Sequence, residues 1–258
     1  MKRAAIYVLL LVALCAVFAP GIAPYDYSRQ FRDAPNAPAS RPFLMGTDDL
    51  GRDRLSRLIY ATRVSILLAP AAALVSIVIA LLMSTASVTQ TLRAGRVLSG
   101  VTTLSLALPW IFLFIILRAL LPLNTRPIAS ILMTFGLMGV AGWAWPARIF
   151  TASIRRMAQS GWLLQARASG IPAWRIALVH AWPHLRAIAI AQFRVLIPAY
   201  ILSEASLGLL GLGVAEPLPS WGNLLAELQH PGRVQDNPWI LAPLAVLMVV
   251  MISLEVLA

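Results

Sequence analysis

The sequence predicts an all-α, polytopic membrane protein with six transmembrane helices. Of its 258 residues, 59% are hydrophobic and only 12% are charged, whereas soluble domains carry about 25% charged residues. A helix that crosses a bilayer needs about 20 apolar residues, and six stretches of this chain are long enough. They are residues 4–23, 64–87, 97–121, 127–147, 187–213 and 239–258.

The first apolar stretch, residues 4–23, is interpreted as an uncleaved membrane anchor. Its basic start and short apolar core are also typical of a secretory signal peptide. However, the small residues that could precede a cleavage site, Ala19 and Ala23, are each followed by proline. We therefore favour the anchor.

A polar segment before the second stretch predicts a helix at the membrane interface. Thr47 or Asp48 can cap such a helix and place negative charge at its first turn. Asp53 and Arg57 are four residues apart and are expected to pair on its polar face. A helix of this kind braces the mouth of a pathway, contacts an external protein or simply supports the second span.

The distribution of charge predicts the orientation. The net charge is +11, but the basic residues are spread over the connections between spans, which indicates membrane orientation rather than nucleic-acid binding. The start of the chain and the connections after the second and fourth spans contain no Asp or Glu. The opposite connections hold the acids, although they also carry several arginines. We place the N-terminus in the cytoplasm.

The long connection after the fourth span predicts a cytoplasmic helical hairpin at about residues 155–186. Residues 162–169 are compatible with a helix, Gly170 suits the left-handed position after a helix end, and Pro172 suits the first turn of the next helix. That second helix is expected to end near Pro183. The residues expected along one of its faces are Trp174, Ala177, Leu178 and Ala181. A solvated connector is the alternative, although connections are usually shorter.

This hairpin resembles the signature of the membrane subunits of bacterial ABC importers. The signature is Glu-Ala-Ala, three residues, Gly, nine residues, Ile, any residue, Leu-Pro. The chain has "LQARASG", nine residues and "HAWP", so that Gly170 and Pro183 fall at the matching spacing. It departs from the signature at Leu164 and Gln165, where the signature has Glu-Ala. His180 and Trp182 likewise replace the Ile and the Leu.

Two further stretches resemble the C-type permease subunit of the dipeptide, oligopeptide and nickel family. "LMGTDDLGRDRLSRLIYATRVSI" precedes the second span, and "LSEASLGLLGLGVAEPLPSWGNLL" includes the end of the fifth. The matching residues of the first stretch are Gly46, Thr47, Asp48, Gly51, Arg52, Asp53, Ser56 and Arg57. Those of the outer loop in the second stretch are Trp221, Gly222 and Asn223. The three motifs occur in the family's order.

The resemblance implies the type I ABC importer permease fold in a bacterial inner membrane. It implies a translocation pathway for peptides or related small solutes such as nickel. The implied partners are a second homologous permease subunit, cytoplasmic ATP-binding subunits and an external substrate-binding protein. The residues implied to dock the ATPase are Ala166, Arg167, Ala168, Gly170, Ile171, Pro172, Trp174 and Arg175. The implied division is an anchor with an outer interfacial segment at 1–63 and an importer transmembrane domain at 64–258.

The residues also predict that the chain is no enzyme and binds no cofactor or metal. Lys2 is the only lysine, so a Gly-x-x-x-x-Gly-Lys-Ser/Thr phosphate loop is impossible and any ATP is used by partner subunits. His180 and His184 are four residues apart, but no glutamate lies between them as in zinc proteases.

Glu204 is the one acid well inside a predicted span, and it is a candidate for the pathway or a gate. A structural hydrogen bond to a neighbouring helix explains it equally well. The alternative function is a secondary transporter or channel driven by an ion gradient, in which Glu204 would be the coupling carboxylate.

Overall fold

The computed structural model describes residues 1–89, 92–120 and 126–257. The first half of the chain forms α1 (Lys2–Val17), α2 (Ala19–Ile22), α3 (Arg54–Thr89), α4 (Leu92–Ala107) and α5 (Trp110–Ala119). The second half forms α6 (Pro127–Ala141), α7 (Ala144–Ala158), α8 (Gly161–Ala168), α9 (Ala173–Arg175), α10 (Trp182–Leu209), α11 (Trp221–Ala226), α12 (Pro231–Asp236) and α13 (Ala242–Leu257). Within the described residues the fold is all-α, and the only bridge between extended residues joins Thr47 to Asp53.

The long helix α3 is the centre of the bundle, and it packs against α1, α6, α7 and α10. Its buried face is rich in alanine and serine, and such small residues let membrane helices approach closely. Ser76 lies on this face, where its Oγ donates to the carbonyl oxygen of Gly139 at 2.6 Å and hydrogen-bonds to the hydroxyl of Tyr200. The buried hydroxyl of Ser76 is therefore satisfied by two neighbouring helices, α6 and α10.

Four helical stretches among the described residues are long and apolar enough to cross a membrane. They are Arg54–Val88, Pro127–Ala158, Ile176–Leu209 and Pro238–Leu257. A fifth is obtained if the bent pair Gly95–Ala107 and Ile111–Leu117 is counted as one span. The predicted number of six is therefore not confirmed.

The first and third predicted spans account for the difference between the six predicted spans and the four that the described part of the structure gives. α1 has 16 residues and is about 24 Å long, less than the roughly 30 Å hydrocarbon core. The third predicted span, residues 97–121, contains two helices, Gly95–Ala107 and Ile111–Leu117, that meet at 98°. Pro109 lies at the break, and proline disfavours a helical conformation in the residue before it. Residue 121 lies outside the described residues.

The second hairpin helix was predicted to end near Pro183. In the structure it continues past this proline to Leu209, so the prediction is wrong. A π-helical turn, Ile176–Ala181, comes directly before this proline. π-Helical turns change the hydrogen-bond register, and proline, which lacks an N–H, needs such a change. At the other end Gly211 has φ +72°, and the N–H of Leu212 donates to the carbonyl of Leu207 at 2.8 Å, which is a Schellman ending.

Candidate functional site

Residues 46–53 form a compact loop that leads into α3, and residues 54–57 are the first turn of that helix. Gly46 and Gly51 both have φ +73°, a backbone conformation that side chains with a Cβ rarely adopt. A Cβ at Gly46 would lie 2.4 Å from the carbonyl oxygen of Ala37, and one at Gly51 would lie 2.1 Å from that of Phe31. Both glycines are therefore required by the close approach of the preceding chain.

Thr47 and Asp48 hold this loop together. Neither residue caps a helix, and the predicted helix cap at Thr47 or Asp48 is therefore wrong. The Thr47 hydroxyl donates to the carbonyl of Ala34 and accepts from the N–H of Ala37 at 2.8 Å. The Oδ1 of Asp48 accepts from the backbone N–H of Arg52 at 2.8 Å. Side chains of this kind fold turns by binding nearby backbone groups.

Asp53 is the residue that caps α3. Its Oδ2 accepts from the backbone N–H of Ser56 at 2.7 Å and from the Ser56 hydroxyl at 2.6 Å, as in a helix N-cap. The predicted pair between Asp53 and Arg57 is therefore wrong, because the carboxylate is used by the cap. α3 then runs without interruption across residues 63 and 64, so the predicted domain boundary falls inside one helix.

A charged cluster of Asp48, Arg52, Arg57 and Glu216 joins this loop to the connection after α10. The Nη1 of Arg52 lies 2.7 Å from Glu216 Oε2, and the Nη2 of Arg57 lies 2.8 Å from Glu216 Oε1. Arg52 also pairs with Asp48 at 2.6 Å. Burial acts to lower the pKa of Arg52, but the carboxylates of Glu216 and Asp48 outweigh it and raise the pKa above its ordinary value.

The polar face at the start of α3, which the sequence predicts to lie at the membrane interface, is buried by the contacts of the charged cluster. The side chain of Arg57 is only 2% exposed, although that of Glu216 is 50% exposed. A second ion pair, between Arg54 and Glu227, ties the start of α3 to the segment after α11. The start of α3 is therefore covered by distant parts of the chain.

Glu204 lies in α10 and is completely buried. Its Oε2 accepts a hydrogen bond from the Ser65 hydroxyl of α3 at 3.1 Å. Its Oε1 accepts from the backbone N–H of Gly222, in α11, at 3.2 Å. One carboxylate therefore links three helices, a geometry that a structural role explains directly.

The outer-loop residues Trp221, Gly222 and Asn223 belong to the short helix α11. Ser220 caps this helix by accepting from the N–H of Asn223. The Asn223 amide nitrogen donates to the carbonyl of Val214 at 2.7 Å, which fixes the preceding loop. Trp221 is fully buried.

α11 lies directly against α3 and α10. The indole Nε1 of Trp221 donates to the Thr62 hydroxyl at 3.1 Å. A Cβ on Gly208 would lie 2.3 Å from the Cα of Gly222, so the backbones of α10 and α11 touch. This contact brings the N–H of Gly222 within reach of Glu204.

The hairpin is present, and its turn is the predicted one. α8 ends at Ala168, Gly170 has φ +71°, and α9 begins at Ala173. Ala166 is buried with Leu163 and Ile176 inside the hairpin, with Ile171 packed against them. Five of the residues that the resemblance implies to dock the ATPase are exposed, namely Ala168, Gly170, Pro172, Trp174 and Arg175. The side chain of Arg167 lies outside the described part of the structure.

The residues predicted to share one face of the second hairpin helix are divided between two surfaces. Trp174 is 66% exposed, and Ala177, Leu178 and Ala181 line an open apolar cavity of about 670 Å³, in which Leu178 is also exposed. The π-helical turn Ile176–Ala181 changes the angular spacing between Trp174 and the residues after it. Trp174 is therefore free to contact another protein.

The two hairpin histidines pack against an aromatic ring. His180 and His184 have ring centroids 5.9 and 6.3 Å from that of Trp162. Within the described ranges no group of three or more His, Cys, Asp or Glu side chains could hold a metal ion.

Comparison with known proteins identifies the family. Residues 76–258 match the family described as "Binding-protein-dependent transport system inner membrane component", which is more than half of the chain. This chain belongs to that family. Residues 3–39 match a second family, described as "N-terminal TM domain of oligopeptide transport permease C".

Curated members of this permease family are similar over most of their length. The di/tripeptide transport system permease protein DppC of Pseudomonas aeruginosa is 33% identical over 85% of this chain and 72% of that protein. The oligopeptide transport system permease protein OppC of Bacillus subtilis is 29% identical over 85% of this chain and 70% of that protein. The dipeptide transport system permease protein DppC of Escherichia coli is 30% identical over 86% of this chain and 74% of that protein.

The match to the permease family includes the hairpin, Glu204 and α11. The segment 46–57 lies between the two matched regions. Sequence reasoning missed the partners that complete these sites. Ser65 and Thr62 look like ordinary small residues of apolar helices, and Glu216 looks like a loop acid. No sequence spacing joins Glu216 to Arg57, because they are 159 residues apart.

Proposed function

We propose that this chain is a membrane-spanning permease subunit of an ATP-driven importer for peptides or related small solutes. The observation that carries the proposal is its 33% identity to a di/tripeptide permease over 85% of the chain, together with the permease family match. The family description names dependence on a binding protein, which favours an importer over a stand-alone carrier. Nickel is a second solute to test, because the resemblance to the family includes nickel permeases.

The hairpin is the proposed docking site for a cytoplasmic ATP-binding subunit. Its tip exposes small residues and one aromatic side chain, Trp174, and exposed tryptophans are frequent anchors at protein interfaces. Ala166 and Ile171 support the tip from inside rather than touching the partner. Because the helix that begins at Ile176 continues to Leu209, displacement of the hairpin would be transmitted along a continuous helix.

The opposite end of α10 is proposed to face the external substrate-binding protein. Glu204, α11 and the charged cluster lie there and hold the connection after α10 against α3. In this orientation the N-terminus is cytoplasmic, and a second homologous permease subunit completes the pathway. Glu204 remains a pathway or gate candidate, although its hydrogen bonds favour a structural role.

The proposal is tested with the chain co-expressed with candidate partner subunits. We expect an ATP-binding subunit and a second permease to copurify with it. In liposomes the complex should take up a labelled dipeptide only when ATP and the binding protein are present. The chain purified alone should not hydrolyse ATP, because its single lysine, Lys2, leaves no phosphate-loop motif.

Trp174→Ala provides a matched variant for the same assay. Trp174 contacts the partner in the proposal, so its loss should reduce recovery of the ATP-binding subunit and dipeptide uptake together. Trp145, which is also exposed but lies in α7, provides the control variant Trp145→Ala. Dipeptide uptake without ATP, or robust hydrolysis by the chain alone, would reject the proposal, and the same assay with Ni²⁺ tests the second solute.

A further inference from the structure

A polar cavity of about 280 Å³ lies between α3, α4 and α7. It is separate from the apolar cavity beside the hairpin and from the charged cluster. Arg148, Thr151 and Arg155 line it from α7, at spacings of three and four residues that place them on one helix face. The two arginines are about 10.5 Å apart along the helix axis.

The charges that line this cavity are not balanced. Arg148 and Arg155 supply two guanidinium groups, and the cavity wall contains no Asp or Glu. Neither arginine forms an ion pair in the part of the chain that the structure describes. Guanidinium groups carry five N–H donors and no acceptor, so this cavity provides donors and positive charge for an anion.

Hydroxyl groups cover the remaining polar wall. Ser99, Thr102 and Thr103 line the cavity from α4, and Ser87 lines it from α3. The hydroxyls of Thr102 and Thr103 donate to backbone carbonyls of their own helix at 2.9 and 3.0 Å. A hydroxyl rotates to suit its partner, so these groups can turn toward a bound oxyanion.

The size of the cavity restricts the ligand. At about 280 Å³ it is slightly smaller than the roughly 300–1,000 Å³ typical of pockets that enclose a drug-sized molecule. A single phosphate group fits within this volume. Arginine forks bind phosphate oxygens in pairs, which adds both strength and geometric selectivity.

We propose that this cavity binds the phosphate group of an anionic molecule through Arg148 and Arg155. Two sources supply that chemistry, namely the headgroup of an anionic phospholipid and free inorganic phosphate. Basic pockets between membrane helices are known to bind anionic headgroups. None of the residues that line this cavity belongs to the hairpin tip, the charged cluster or the surroundings of Glu204.

The test uses the full chain, purified in detergent with the subunits that copurify with it and stripped of lipid. Dihexanoyl phosphatidylglycerol, inorganic phosphate and dihexanoylglycerol, which lacks phosphate, are titrated separately, and bound ligand is counted by native mass spectrometry. The double variant Arg148→Gln with Arg155→Gln should weaken binding of the phosphate-bearing probe at least about tenfold, the effect of losing a charge-assisted hydrogen bond. The double lysine variant should bind less tightly than the native protein but more tightly than the glutamine variant.

Arg156→Gln is the matched control. Arg148, Arg155 and Arg156 are all exposed, but Arg156, the next residue along α7, does not line the cavity. Its replacement should therefore change binding by less than about twofold. The tighter of the two phosphate-bearing probes identifies the source. Equal weakening by Arg156→Gln, binding that is insensitive to the double variant, or equally tight binding of dihexanoylglycerol would overturn the proposal.

Discussion

Glu204 accepts hydrogen bonds from two other helices, and this geometry predicts that its replacement destabilises the bundle. In Glu204→Gln one carboxylate oxygen becomes an amide donor, which then faces the Ser65 hydroxyl or the Gly222 N–H. Facing Gly222 the amide has no acceptor, and facing the Ser65 oxygen it takes the place of the acceptor that the Ser65 hydroxyl now uses. In both cases one buried donor is left without an acceptor, which costs about 1–3 kcal/mol. We expect a lower temperature of thermal unfolding in detergent, and solute uptake per assembled complex close to that of the native protein.

Glu255→Gln is the control for this prediction, because Glu255 is exposed on α13. It should leave the unfolding temperature unchanged. If Glu204→Gln instead unfolds at the native temperature and loses uptake, the carboxylate acts in the pathway or the gate, and the structural interpretation is wrong.

Gly208 predicts a second effect at a single position. In Gly208→Ala the new methyl group would overlap the Cα of Gly222, at 2.3 Å, so α10 and α11 must separate. Overpacking of this kind costs about 1–3 kcal/mol. We expect a lower unfolding temperature and faster proteolysis of the connection between these helices.

Gly136→Ala is the matched control, because a Cβ at Gly136 meets nothing within 4 Å. Replacing a glycine inside a helix by alanine should stabilise it by about 0.5–1 kcal/mol. If both variants behave alike, the contact between the backbones of α10 and α11 does not limit stability.

Single residues were predictable from the sequence where their role depends on neighbours along the chain. The left-handed turn at Gly170 follows from a glycine between a helix end and a proline, and the structure confirms it. The partners of Glu204 were not predictable, since Ser65 is 139 residues away. Helical periodicity carries no information about contacts at such a distance.

At the level of elements, the hairpin predicts how a local change in backbone affects assembly. Gly170→Val forces a β-branched residue into φ +71°, which costs about 1–2 kcal/mol or more. A Cβ there meets no atom of this chain within 4 Å, so membrane insertion should be normal. We expect the hairpin to lose the ATP-binding subunit, since about 1.4 kcal/mol is a factor of ten in affinity.

The measurement is copurification of the ATP-binding subunit, followed by uptake in cells. Ser169→Ala changes the neighbouring exposed residue without any demand on a left-handed backbone, and it should retain both the subunit and uptake. Full retention of both by Gly170→Val would mean that the hairpin is only a connector.

The sequence predicted where helices occur better than where they end. Hydropathy does locate α3, α6 with α7, α10 and α13. It did not predict the bend near Pro109, because an apolar run looks the same on both sides of a break. The proline at position 183 predicted a helix end, but a π-helical turn just before it lets the helix continue. Proline is a strong local signal, but the surrounding helix decides its consequence.

At the scale of the whole molecule, contacts between distant segments decide how the start of α3 is held. α3 has 36 residues and is about 54 Å long, well beyond a hydrocarbon core of roughly 30 Å. An upright α3 therefore extends out of the core. The sequence suggested that its polar face lies at the membrane interface, whereas the structure covers that face with the connection after α10.

The charged cluster predicts strong coupling between two parts of the chain that are 159 residues apart. Arg57→Ala leaves Arg52 as the one close guanidinium that Asp48 and Glu216 share, and breaking a buried ion pair costs about 3–5 kcal/mol. We expect the low end of that range, because Glu216 is half exposed. Glu216→Ala should also destabilise, because it leaves two buried arginines short of a carboxylate. The double variant should lose less stability than the sum of the losses of the two single variants, with a coupling energy of about 0.5–3 kcal/mol.

The double-mutant cycle is measured by thermal or denaturant unfolding in detergent. Arg63→Ala is the control, because Arg63 lies on the same helix, is only half-buried and forms none of the ion pairs of the charged cluster. Its combination with Glu216→Ala should be additive, since residues without a shared contact do not couple. Additive losses for Arg57 and Glu216 would mean that this ion pair does not couple the two segments, and that other contacts hold them, such as the hydrogen bond from the Trp221 indole to Thr62. A measured coupling would instead place the ion pairs among the contacts that keep the connection after α10 closed over α3.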